Sequence, residues 1–203
     1  MKLYQSVGPN PHVVRMFIAE KGMDVPMEKV DVRGGENRQS DYLKINPRGQ
    51  SPALITDSGQ LISEITAICE YLEELQPAPA LIGTTPEERG EVRMWTRRID
   101  LGICEPLANG FRYSDAIEMF RPRMRVIPEA AEGLKGCAQD IMTWLDGQMD
   151  GKTWICGDRF TLADILLFCF VDFGAKVGQK IDPGNANLTS WYERTKERPS
   201  ASA

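Results

Sequence analysis

The chain has 203 residues, of which 42% are hydrophobic and 26% charged, and its formal net charge is -5. This length suits one large or two small domains with hydrophobic cores. The negative charge argues against a general nucleic-acid binder, because phosphate contacts need a basic surface. No apolar run approaches the roughly 18 residues of a membrane-spanning helix, and no targeting segment is apparent at residues 1–5. We therefore expect a soluble, cytoplasmic protein.

The cysteines and the single histidine do not suit a zinc cluster or a histidine-dependent catalytic set. It holds five cysteines, none in a Cys-x-x-Cys pair, and His12 is the only histidine. Neither a zinc cluster nor a Cys-His or Ser-His-Asp catalytic set can be assembled from them. We expect no metal cofactor, and we expect the cysteines to be reduced and mostly buried. They are Cys69, Cys104, Cys137, Cys156 and Cys169.

The beginning of the chain predicts a strand, a helix and a second strand. Lys2–Gln5 has the character of a short strand, and a helix follows from about His12 to Lys21 with Pro11 near its first turn. Met27–Val32 alternates enough to be a second strand. This order of elements indicates a parallel crossover unit.

A hairpin and another helix follow. A short helix is predicted near Asp41–Lys44, and the segments Pro52–Thr56 and Gln60–Ile62 flank a turn as a hairpin would. Ser63 is expected to cap the next helix, whose apolar positions recur at helical spacing. Together these elements predict a small α/β sheet domain.

The turn at Asn46–Leu54 carries the first functional hypothesis. Pro52 opens a strand, and a proline fits there only where the ladder does not need its N–H. The backbone of Ser51 is then free to pair with an extended, peptide-like ligand at the sheet edge. An ordinary loop proline is the alternative interpretation.

The sequence beyond the hairpin and its following helix predicts a linker and then an all-helical domain. The proline-rich stretch Gln76–Gly83 has the composition of a linker. Thr161 and Asp164 have the spacing of a capping box, which is a structural device. Helices are predicted over Pro86 to about Ala108, Pro128 to Met149 and Ser190 to Arg198.

Three further motifs join the Asn46–Leu54 turn and the proline-rich linker: the Glu64-Ile65-Thr66-Ala67-Ile68 helix start, the box from Gly157 to Asp164, and Trp191-Tyr192. Together these features resemble a soluble glutathione transferase of the bacterial type. The resemblance covers essentially the whole chain and implies an α/β thioredoxin-like N-terminal domain over residues 1–77, a linker over 78–86 and an all-α helical domain over 87–203. It also implies a homodimer and a cis bond before Pro52.

The resemblance implies a site for glutathione as co-substrate. Ser51 and Pro52 would hold its cysteinyl part, with Gln50 as a further polar contact. The N–H groups at the start of the Glu64 helix would bind the γ-glutamyl carboxylate, and the Glu64 side chain would bind its amino group. The family's usual Glu-Ser pair is Glu64-Ile65 here, which removes one hydrogen bond unless Thr66 compensates.

Thiol activation is where this sequence departs from the family. Catalysis needs glutathione as a thiolate, which a helix N-terminus or a hydrogen-bond donor stabilises. Gly8 stands where many members carry an activating serine. We expect Asn10 to supply the donor, with Ser6 as the second candidate. A helix-capping or turn role is the alternative for Asn10.

The second substrate is expected to be a small hydrophobic electrophile, bound between the domains by Trp95, Arg98, Phe111 and Tyr113. A core or interface role is the alternative for each of these residues. The implied function is transfer of glutathione to the electrophile, as in detoxification. Two alternatives stay open: glutathione-dependent reduction of disulfides or peroxides, and a non-catalytic glutathione-binding or scaffold protein.

Overall fold

The computed structural model describes all 203 residues. The chain divides into two compact units, one comprising Met1–Leu81 with Pro199–Ala203 and the other Ile82–Arg198. The division falls within the predicted linker. The return of the last five residues to the first unit had no signal in the sequence.

The first unit is built on a four-stranded mixed sheet. Its strands are β1 (Lys2–Gln5), β2 (Met27–Lys29), β3 (Ala53–Ile55) and β4 (Leu61–Ser63), in the order β2-β1-β3-β4. β1 pairs parallel with β2, and β3 pairs antiparallel with both β1 and β4. The predicted crossover unit and hairpin are therefore confirmed. Strand β2 is shorter than predicted, since it ends at Lys29.

Three helices pack with this sheet: α1 (Pro9–Lys21), α2 (Ser40–Ile45) and α3 (Ile65–Leu75). Helix α1 begins before His12, because Pro9 and Pro11 both tolerate the first turn. The expectation that Ser63 caps α3 is wrong: Ser63 ends β4, and Glu64 occupies the N-cap position. The core of this unit consists of side chains that are fully buried, including Leu3, Val13, Val14, Met16, Phe17, Leu54, Ile68 and Leu72.

A buried ion pair fastens α1 to α3 and to the segment after α3. The Lys21 Nζ atom lies 2.6 Å from the Glu73 carboxylate, and both side chains are almost inaccessible. Lys21 also donates to the Pro79 carbonyl, while Glu73 accepts from the Leu81 N–H. Because removing one member would leave a buried charge unpaired, the pair fixes the path of the chain beyond α3.

The second unit contains helices and two isolated β-bridges but no strand, so its helical class agrees with the prediction. It contains α4 (Pro86–Ile99), a π-helical segment (Asp100–Cys104), α5 (Glu105–Tyr113), α6 (Ile117–Phe120), α7 (Ala131–Gln148), α8 (Leu162–Lys176) and α9 (Ala186–Lys196). A short 3-10 turn over Pro128–Ala130 lies in this unit, whereas the 3-10 turns Glu36–Arg38 and Pro199–Ser202 belong to the first unit. None of the helices is long and apolar enough to cross a membrane.

The π-helical segment interrupts what the sequence predicts as one helix. Pro106 has no N–H to complete the α-helical ladder, and its ring would clash with the preceding turn. The chain widens instead, and the Glu105 N–H bonds to the Asp100 carbonyl five residues back. The helical run consequently continues to Tyr113 rather than ending near Ala108.

The predicted capping box at the start of α8 is confirmed. Asp164 is fully buried and accepts hydrogen bonds from the Thr161 N–H and hydroxyl, the Ile155 N–H and the Trp191 indole. Burial raises the pKa of Asp164 to about 6, although these donors oppose the shift. One carboxylate thus joins α8, α9 and the turn before α8.

We expect the pKa of Asp164 to make its stability contribution depend on pH. The folded pKa lies above the ordinary 3.8, so this contribution is complete below pH about 4 and is lost as the pH rises through about 6, by at most ~3 kcal/mol. Asp164→Asn does not titrate. In urea titrations, the free energy of unfolding of the wild type minus that of Asp164→Asn should therefore fall between about pH 4 and about pH 7. A difference that stays constant or rises would contradict this assignment.

Candidate functional site

Three segments meet at one end of the sheet in the first unit. Strand β1 ends at Gln5, and its Tyr4 lies opposite Ala53 at the start of β3. Ala53 in turn lies opposite Ser63 at the end of β4. The register therefore places the loop after β1, the Ser51-Pro52 turn and the Glu64 cap side by side.

The turn before β3 is held in place by three side chains. Asn37 Nδ2 donates to the Gly49 carbonyl at 2.6 Å. The Gln50 carbonyl accepts from the Tyr42 hydroxyl at 2.7 Å and from Asn46 Nδ2 at 2.8 Å. Burial, with smaller contributions from neighbouring acidic groups, raises the pKa of Tyr42 to about 12, so its hydroxyl stays a donor at neutral pH. These bonds fix the backbone that leads into Ser51.

Ser51 presents unpaired polar groups at this fixed position. The Ser51-Pro52 peptide bond is cis, in agreement with the resemblance. Neither the N–H nor the carbonyl of Ser51 joins the sheet or another backbone hydrogen bond. Its Oγ atom is buried without a partner. Since buried polar groups are normally bonded, Ser51 has the features of a residue that completes its bonds with a ligand. The Gln50 side chain beside it is exposed.

Glu64 adopts an unusual backbone conformation. Its φ of 72° makes it the only residue other than glycine with a positive φ. Such a conformation costs a side chain of this type about 1–3 kcal/mol and occurs mostly at functional sites. No side chain caps the first turn of α3, and Glu64 itself is exposed. The N–H groups at Ile65 and Thr66 are thus available to an anion.

The loop between β1 and α1 and the first turn of α1 each contain one of the two candidate catalytic residues. Ser6 is buried, and its hydroxyl donates to the Val30 carbonyl at 2.7 Å. Asn10 is half-buried in the first turn of α1, where neither its side chain nor its N–H makes a hydrogen bond within the protein. Pro9 and Pro11 carry no N–H, so Asn10 supplies the only backbone donor at helix positions N1 to N3. Gly8, with a φ of 107°, precedes the helix without capping it.

The four residues expected to bind the second substrate fall into two groups. Roughly 24 Å of helix, at 1.5 Å per residue, separates Trp95 from Phe111. They therefore cannot line one small pocket together. Trp95 lies under Trp144, with ring centres 5.8 Å apart, and the guanidinium of Arg98 covers both rings.

The other group lies at the end of α5. The rings of Phe111 and Phe173 meet edge to face, with their centres 5.1 Å apart. Tyr113 is half-buried, and the neighbouring Arg112 lies over the ring of Phe120 at 5.7 Å. This end of α5 thus offers aromatic surface beside a cation.

Cysteine and metal chemistry receive little support from the structure. Four of the cysteines are buried, as expected, and only Cys137 is exposed. Burial raises the pKa of Cys156 to about 11 and that of Cys104 well above its usual range, which makes both thiols poor nucleophiles. No three His, Cys, Asp or Glu side chains come together as metal ligands would.

Comparison with known families agrees with this geometry. Residues 1–74 match the family described as Glutathione S-transferase, N-terminal domain, and residues 127–199 match Glutathione S-transferase, C-terminal domain. The chain belongs to the glutathione S-transferase family. The predicted thioredoxin-like N-terminal and helical C-terminal architecture is confirmed.

Individual relatives extend along nearly the whole chain. Glutathione S-transferase 2 of Saccharomyces cerevisiae is 30% identical over 200 residues, covering 95% of this chain and 84% of the yeast protein. The crystal structure of Gtt2 from Saccharomyces cerevisiae matches with a TM-score of 0.92 at 30% identity, covering 100% of this chain and 99% of that one. Disulfide-bond oxidoreductase YfcG of Escherichia coli (strain K12) is 26% identical over 204 residues, covering 97% of this chain and 90% of the Escherichia coli protein.

The strain at Glu64 predicts a difference between two substitutions. Glu64→Gly relieves the positive φ, whereas Glu64→Ala keeps it, and both remove the carboxylate. We expect Glu64→Gly to be more stable than Glu64→Ala by about 1 kcal/mol in urea unfolding without ligand. A glycine variant that is less stable than the alanine variant would show that this backbone is not strained.

Proposed function

We propose that this protein transfers glutathione, as its thiolate, to a small hydrophobic electrophile. The observation that carries the proposal is the convergence at one sheet end of unpaired Ser51 groups, an uncapped α3 and an unbonded Asn10. Glutathione is an extended peptide with an amino-acid head group and a thiol. Each segment offers what one part of this ligand needs.

The cysteinyl part of glutathione pairs with the backbone of Ser51 in this proposal, as an added strand would. The Ser51 hydroxyl or Gln50 side chain supplies a further polar contact. The γ-glutamyl carboxylate binds the N–H groups at Ile65 and Thr66, where the helix dipole favours an anion. The Glu64 carboxylate then accepts from the ligand's amino group. Ile65 contributes its N–H only, because it lacks the hydroxyl of the family's serine.

Asn10 is the residue that we assign to thiolate stabilisation. The proton of Ser6 is already committed to the Val30 carbonyl, so Ser6 holds the loop rather than the sulfur. Asn10 has two kinds of free donor, its amide side chain and its N–H. Donation to a thiolate is charge-assisted and lowers the thiol pKa.

The electrophile is assigned to the aromatic end of α5, with Phe111 and Tyr113 as its contacts. We do not assign the electrophile to the cluster of Trp95, Trp144 and Arg98, because exposed apolar side chains surround that cluster. Met94 and Leu101 are exposed about two turns apart along the same helical run, and Trp144 is 42% exposed. Exposed apolar side chains of this kind support a homodimer through this face.

Reductase activity is the second candidate function, because one relative is named a disulfide-bond oxidoreductase. No cysteine lies in the β1 to α1 loop, so a mixed disulfide with the protein at that position is excluded. Two glutathione molecules would have to carry the redox chemistry. A non-catalytic binding protein is the third candidate, and Gly8 and Ile65 motivate it.

A titration with glutathione separates the three functions. We expect saturable binding at millimolar or lower glutathione, with a bound thiol whose measured pKa lies at least about one unit below that of free glutathione. Conjugation of an aromatic halide should accompany it, at a rate above that with a model disulfide. Binding with an unshifted thiol pKa would favour the non-catalytic protein, and no binding would remove both enzymatic functions.

Asn10→Ala tests the assignment of the donor. Loss of one hydrogen bond to a charged group should lower turnover by about 10- to 100-fold while changing glutathione affinity less. Ser6→Ala, at the other candidate residue, is the matched variant: it removes the bond to the Val30 carbonyl, so it should lower stability and should lower turnover less than Asn10→Ala does. Full turnover in Asn10→Ala, together with its loss in a folded Ser6→Ala, would transfer the role to Ser6.

A further inference from the structure

The last residues of the described chain pack against α1 in the glutathione-binding unit. The segment 199–203, called the strap below, forms a 3-10 turn over Pro199–Ser202 and belongs to the first unit. His12 Nε2 donates to the Ala201 carbonyl at 3.0 Å. The Ser200 hydroxyl bonds to the Glu20 carboxylate. The strap therefore contacts α1 near both of its ends.

Arg15 connects the strap to the loop between β1 and α1. Its Nε donates to the Ala203 carbonyl at 3.1 Å. Its Nη1 donates to the Gln5 side chain at 2.9 Å and to the Ser6 carbonyl at 3.1 Å. A planar guanidinium holds several acceptors in fixed directions, so movement of the strap changes the position of the loop.

The loop is thereby anchored on two sides. Ser6 donates to the Val30 carbonyl on one side and accepts from Arg15 on the other. Beyond Ser6 the chain runs through Gly8 to Asn10 without any side-chain hydrogen bond at the cap. The position of Asn10 consequently depends on the anchors at Ser6 and on α1 itself.

We propose that Arg15 and His12, by fastening the strap to α1, are positioning residues that orient Asn10 for stabilising the glutathione thiolate. The inference rests on the proposed transferase function. Neither residue touches the sulfur in this assignment. Both act through the geometry of the first turn of α1, where a shift of about 1 Å can cost 10²-fold in rate.

The test compares pH profiles of conjugation in the 203-residue chain and its variants. Arg15→Met keeps the aliphatic stem and removes the donors, and His12→Leu removes the bond to the Ala201 carbonyl. Each should move the acidic limb of kcat/KM to higher pH by about one unit, because a misplaced donor raises the thiol pKa. Activity should fall about tenfold near pH 6.5 but stay within about twofold near pH 9, where the thiol ionises without help.

Two control variants distinguish a general loss of structure from a loss of Asn10 positioning. Ser202→Ala alters a side chain that bonds only within the strap, to the Pro199 carbonyl. Thr56→Ala removes the acceptor of the Gln60 N–H in the β3–β4 turn, away from α1. Neither should move the pH profile, although Thr56→Ala should lower the melting temperature. Removal of residues 199–203 should reproduce the shift of Arg15→Met.

The outcomes distinguish this inference from the function on which it rests. Wild-type protein that neither binds nor conjugates glutathione overturns both. Active wild-type protein with unshifted profiles in Arg15→Met and His12→Leu overturns the positioning role alone. An equal loss of activity at every pH, without a change in the measured thiol pKa of bound glutathione, also overturns it.

Discussion

The candidate site depends on the two hydrogen bonds that the Gln50 carbonyl accepts. Tyr42 and Asn46 supply them from inside the unit, and Asn37 holds the preceding Gly49 carbonyl in the same way. These donors satisfy the carbonyls before Ser51 and leave the polar groups of Ser51 itself unpaired. A peptide-binding edge has to be rigid and unsatisfied at once, since a mobile edge would lose ordering entropy on binding. The turn meets both requirements because its internal hydrogen bonds are made to the Gly49 and Gln50 carbonyls, immediately before Ser51.

The sheet topology brings three local features together in one candidate site. β1 and β3 run antiparallel, so the exit of one strand lies beside the entry of the other, and the end of β4 follows next to them. Ser51, Glu64 and Asn10 are far apart in sequence but belong to these three neighbouring chain ends. The backbone conformation of Glu64 has an energetic cost. Its positive φ is unfavourable for the isolated residue, and the surrounding fold maintains it at the start of a helix without a cap.

Much of this architecture follows from the sequence because it is encoded locally. Periodic apolar residues, prolines and the Thr161 to Asp164 spacing predict the strands, the helices and the α8 cap. The Ser51-Pro52 turn is visible for the same reason. The φ of Glu64, the Asn37 and Tyr42 donors and the strap are not visible, because each depends on contacts between distant segments. Separation of Trp95 from Phe111 was foreseeable from helix rise alone, and the widened turn was foreseeable from Pro106.

The start of α1 offers few hydrogen-bond donors to a thiolate. A helix N-terminus normally presents several N–H groups, but Pro9 and Pro11 leave only that of Asn10, and Gly8 offers no hydroxyl. In the proposed mechanism, stabilisation of the glutathione thiolate falls to Asn10 alone, instead of being spread over a cap and several amides. A single donor is effective only if its distance and direction are accurate, because hydrogen bonds weaken steeply with poor geometry. In that proposal, the hydrogen bond from the Ser6 hydroxyl to Val30 and the one from Arg15 to the Ser6 carbonyl supply this accuracy. A chain that lacks the family's serine therefore has a physical reason to hold this loop firmly.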